Sequence, residues 1–93
     1  KEVEYKQALY TKCVKDAADS YKISTEAADI IADAALGHCL GARADFYKSL
    51  ISALSSAGSR DGVVNEYDQG LRNWAISLVL DYRIANNSKH FWQ

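Results

Sequence analysis

The chain has 93 residues, with 11 Lys and Arg against 12 Asp and Glu, for a formal net charge of -1. Hydrophobic residues make up 48% and charged residues 25%, which excludes a disordered linker, a collagen-like repeat and a basic nucleic-acid binder. The length allows one domain, residues 1–93. The most apolar stretch, Trp74 to Ala85, contains Asp81 and Arg83 and falls short of the roughly 20 apolar residues of a membrane span.

The chain contains neither Met nor Pro. Lack of an initiator Met predicts a processed chain: an exported protein whose signal peptide was removed ahead of Lys1, or a trimmed piece of a longer chain. Lack of Pro fits an all-α fold, since nothing interrupts the helical hydrogen-bond ladder.

Four helices are expected in chain order. The first covers about Val3 to Tyr21, with Val3, Tyr10, Cys13, Val14, Ala17 and Tyr21 on one face. The second begins after Ile23, with Ser24 or Thr25 as N-cap and Glu26 in the first turn. Its stripe is Ala27, Ile31, Ala34, Ala35 and His38, with Cys39 at the edge, and a break is expected near Gly41. The third covers about Ala42 to Ala57, carrying Phe46, Leu50, Ala53, Leu54 and Ala57. Gly58-Ser59-Arg60-Asp61-Gly62 reads as the clearest loop. The fourth runs from about Val63 to Ala85 with Val64, Tyr67, Leu71, Trp74, Leu78, Tyr82 and Ala85 on one stripe, and Asn86-Asn87-Ser88 is expected to stop it.

Cys13 and Cys39 are the only cysteines, and an even count in a short chain suggests one bridge clamping the hairpin of the first two helices. A loop of that span stabilises the fold by roughly 3 kcal/mol in the chain-entropy model. The competing reading is two buried free thiols. Helical rise also counts against the bridge. Cys13 and Cys39 stand at heights above the turn that differ by roughly 12 Å, so the connection must be extended or the helices must cross.

No motif carries chemistry. Cys13, His38, Cys39 and His90 lack the spacing of a metal site, and no metal or other cofactor is expected. No nucleophile elbow or phosphate loop is present, and basic residues are too thinly spread for nucleic acid. Glu26, Asp29 and Asp33 form an acidic line on the second helix, read either as a docking stripe for a basic partner or as a solvated face.

Two features point to a protein partner or to a second copy of the chain. Ile76, Leu80 and Ile84 form a second apolar line on the fourth helix, more than one buried stripe requires. Aromatic residues are plentiful: Tyr5 faces the polar side of the first helix, and Phe91 and Trp92 follow the expected end of the fourth.

The run Tyr10-x-x-Cys13-Val14, followed by Ala27-Ala28-Asp29-Ile30-Ile31-Ala32-Asp33-Ala34-Ala35-Leu36-x-x-Cys39, resembles a class of small exported bacterial proteins in which a Cys pair brackets an alanine-rich helical hairpin. The resemblance covers about the first 40 residues and implies a periplasmic or secreted location. The expectation is a single all-α domain of four helices acting as a non-catalytic protein-binding module, such as a periplasmic immunity or inhibitor protein. The alternatives are a small hydrolase or metal-dependent enzyme using Cys39, His38 or His90, and a cytosolic or phage structural module with reduced cysteines.

Overall fold

The computed structural model describes residues 2–92, with side chains described through Asn87. Among the described residues the chain forms α1 (Glu2–Tyr21), α2 (Ala28–His38), α3 (Leu40–Ser49), a 3₁₀ turn (Leu50–Ser52) and α4 (Ala57–Trp92), with no strand. α1 carries Glu2 and Glu4 in its first turn, where carboxylates favour the positive end of the helix dipole. α2 and α3 follow one another end to end, so the molecule is three rods: α1, the α2–α3 pair, and α4.

Cross-links between the rods fix their directions. Tyr10 meets Asp68, Lys15 covers Trp74 and Lys22 covers Tyr82, so α1 and α4 run parallel. Asp33 pairs with Arg72 and Arg43 with Asp68, so the α2–α3 rod runs antiparallel to α4. The bundle measures 57 × 20 × 16 Å. Its long dimension is that of α4, since 36 helical residues rise about 54 Å.

One core binds the rods: Tyr10, Val14, Ala17 and Ala18 of α1, Ala32 and Ala35 of α2, Cys39, Phe46 of α3, Leu50, and Val64, Leu71 and Ala75 of α4. Small alanines at the α2 contact let the rods approach closely. Tyr10, Phe46 and Tyr67 fill the wider end, with ring centroids 5.5–6.2 Å apart in tilted or edge-on pairs.

The Cys13–Cys39 disulfide is formed, with Cα atoms 5.9 Å apart. Two features remove the difference in height. The helix after the turn starts at Ala28 instead of Ser24, and the Lys22–Ala27 connection supplies the missing length. Ser24 accordingly caps no helix; its hydroxyl accepts the Glu26 N–H within the connection.

Four further expectations are corrected. The break expected near Gly41 is present, at Cys39, but the helix after it stops at Ser49 with a 3₁₀ turn to Ser52, and Ala57 belongs to α4 and not to the third helix. α2 buries Ile31, Ala32 and Ala35 while Ala34 and His38 are exposed, a rotation of the expected stripe. Gly58 to Gly62 is not a loop but the opening of α4. Ser56 Oγ accepts the Ser59 N–H at 3.3 Å and the Ser56 carbonyl accepts the Arg60 N–H at 3.1 Å, an N-cap that outweighs two glycines. Asn86-Asn87-Ser88 does not end α4, which continues to Trp92.

Candidate functional site

The polar centre of the bundle lies where all three rods meet. Tyr10 is fully buried and donates its hydroxyl to Asp68 Oδ1 at 2.5 Å. Asp68 Oδ2 accepts from Arg43 Nε at 2.8 Å and Nη2 at 2.7 Å, and Arg43 also donates to Asn65 Oδ1. Thr11 and Tyr67 share a hydroxyl–hydroxyl hydrogen bond one position along. Burial first, then the Asp68 carboxylate, push the Tyr10 phenol well above its ordinary pKa. The Asp68 hydrogen bond keeps Arg43 protonated above its ordinary range. A buried phenol, a carboxylate that accepts from both Tyr10 and Arg43, and a charged guanidinium together form a hydrogen-bonded clamp across the three rods.

Beside this clamp, α1 and α4 leave an open groove of about 540 Å³ lined by Thr11, Lys15, Val63, Glu66, Tyr67, Leu71 and Trp74, with Gly70 among them. No atom stands within 4 Å of where a Cβ on Gly70 would point, so the groove stays open there. The Lys15 ammonium lies 4.9 Å from the centroid of the Trp74 ring.

The residues singled out from sequence are scattered around the bundle. Tyr5 is 61% exposed on α1, with the Lys6 ammonium 5.8 Å from its ring centroid. Ile76 is half-buried against the core, whereas Leu80 is 46% and Ile84 64% exposed. The second apolar line of α4 is therefore split: its first member belongs to the core and the other two face outward. The side chains of Phe91, Trp92 and His90 lie outside the described residues. The acidic line is also divided. Glu26 lies in the connection before α2, where its carbonyl accepts from Arg83, and Asp33 is tied to Arg72 at 2.8 Å, while Asp29 stays exposed. Arg83 reaches the Ser24 carbonyl as well.

His38 is exposed and packs edge-on against Tyr21, centroids 6.3 Å apart. Among the described residues no group of three or more His, Cys, Asp and Glu side chains is placed to hold a metal ion. Among the described residues no helix is long and apolar enough to cross a membrane.

Sequence reasoning missed the Tyr10–Asp68–Arg43 clamp and the Lys15–Trp74 pair. A signal for the clamp was present: Asp68 stands on the buried stripe of α4, four residues after Val64 and three before Leu71, where a charge demands a partner. The Lys15–Trp74 pair left no such mark, because neither position is unusual on its own helix.

Comparisons with protein-family models, curated proteins and solved structures return no match to this chain.

Proposed function

We propose that this chain is a non-catalytic protein-binding module acting in the periplasm or as a secreted protein, in the manner of an immunity or inhibitor protein. The observation that carries the reading is the C-terminal end of α4. Lys22 meets Tyr82 and Arg83 holds the α1–α2 connection, which sets that level as the end of the other two rods. α4 continues to Trp92, about 15 Å further at helical rise. Leu80 and Ile84 are exposed at the root of this projection. A projecting helical segment of this length is marginal on its own in water, and packing against another protein supplies what the bundle does not. The disulfide supports the location, because such bonds persist in oxidising compartments.

A photo-crosslinking residue in place of Ile84, introduced in the cells that make the protein, tests the reading. One adduct of defined mass, lost when Leu80→Asp is added, supports a dedicated partner, and an adduct of twice the chain mass identifies that partner as a second copy. Absence of any adduct at this position counts against the module. One thiol labelled rapidly by iodoacetamide in the native protein, or a bound metal ion, favours the enzyme alternative.

A further inference from the structure

Cys39 is both the partner of Cys13 and the residue at which α2 and α3 part. Its φ of -110° and ψ of 24° lie off the helical values. Its N–H bonds the Leu36 carbonyl three residues back at 3.0 Å, and the four-residue ladder resumes with Arg43 N–H to the Cys39 carbonyl at 3.0 Å. The chain has no Pro, and neither Gly37 nor Gly41 adopts a positive φ.

Packing does not demand the break either. Ala28, Ala32, Ala35, Cys39, Ala42, Phe46 and Ser49 succeed one another by fours and threes, and each is buried or half-buried. The phase of the inward face passes straight through Cys39, so one continuous helix from Ala28 to Ser49 would place the same residues inside. What distinguishes Cys39 from its neighbours is its covalent bond to α1.

We propose that the disulfide is a redox latch: the bond to Cys13 holds the break at Cys39, and reduction by a dithiol merges α2 and α3 into one helix. Cys39 is 1% exposed and Cys13 is half-buried, so the incoming thiolate attacks Cys13 Sγ. The Cys13–Cys39 bond breaks, a mixed disulfide forms on Cys13, and Cys39 leaves as a thiolate that takes up a proton. The second thiol of the reductant, deprotonated, then attacks the reductant's own sulfur in the mixed disulfide. Cys13 is released and protonated, and the dithiol departs as its cyclic disulfide. Two electrons have passed to the protein. Because α3 carries Arg43 and Phe46, a change in its direction alters their contacts with Asp68 and Tyr10.

The amides of Leu40, Gly41 and Ala42 open α3, where a helix offers them no internal partner. In a merged helix they bond the carbonyls of Leu36, Gly37 and His38. NMR of the whole protein, oxidised and then in excess dithiothreitol, reads this directly. On reduction the Cα shifts of His38 and Leu40 move to helical values, and exchange of the Gly41 and Ala42 amides slows by about tenfold, as for amides that gain a hydrogen bond. Cys13→Ala without reductant gives the same spectrum around residue 40. Non-helical shifts at His38 and Leu40 in both reduced forms would show that packing sets the break, and would overturn the latch. Loss of the folded spectrum in both would overturn it as well, by showing that the bond serves the fold as a whole.

Discussion

Asp68 is the residue on which the three rods converge. Asp68→Ala strands the buried Tyr10 hydroxyl and leaves the half-buried Arg43 guanidinium with Asn65 in place of its carboxylate. The side chain is 22% exposed, so the cost lies below that of a fully buried pair, at about 2–3 kcal/mol by urea unfolding. Tyr10→Phe removes one donor and leaves the Asp68–Arg43 pair, costing about 1 kcal/mol at neutral pH. The phenol also sets an alkaline limit. Folding raises its pKa above the ordinary 10.0, chiefly through burial, so its contribution is complete below about pH 10 and is lost as the pH climbs from there toward the folded value. The melting temperature of the native chain therefore falls above pH 10 and that of Tyr10→Phe falls less. Equal slopes would show that another group controls the alkaline loss.

At the scale of elements, α1 was legible because its apolar residues keep one period from Val3 to Tyr21 with polar residues opposite. α2 was legible as a helix but not in its rotation. Seven alanines and isoleucines from Ala27 to Ala35 give little contrast between faces, so the partner rods decide which of them are buried. The start of α4 was misread because Gly58 and Gly62 resemble a turn. Ser56 caps the helix in front of them, and Arg60 anchors it by donating to the Leu54 carbonyl at 2.6 Å and lying over Tyr47. Among the candidate residues, Leu80 and Ile84 were legible as an apolar line beyond the core stripe. Ile76 was assigned to the same line, yet the core claims it, because the α2–α3 rod covers that flank of α4. A helical glycine with free space beyond its missing Cβ also makes a prediction at this scale. Gly70→Ala adds a methyl group that meets no atom within 4 Å, and it should stabilise the protein by about 0.5–1 kcal/mol through helix propensity. A loss of stability would mean that the α1–α4 groove closes over this position in solution.

For the whole molecule, a covalent link between the first rod and the second adds to the stability of a thin bundle. Reduction should lower the unfolding free energy by about 3 kcal/mol in the chain-entropy model. It should leave the α4 projection unaffected. Leu80→Asp with Ile84→Asp changes exposed side chains outside the core. The pair should therefore shift stability by no more than about 0.5 kcal/mol per site while abolishing partner capture, a separation of effects that core residues such as Val79 cannot show. The claim beneath both the location and the proposed role is that the two sulfurs are joined in the protein as the cell holds it. Iodoacetamide added to intact producing cells before lysis, followed by non-reducing mass spectrometry of the purified chain, tests it. The expected product is an unlabelled protein whose Cys13 and Cys39 peptides remain joined; a chain carrying a label on each cysteine would show two free thiols in the cell and remove the basis for both.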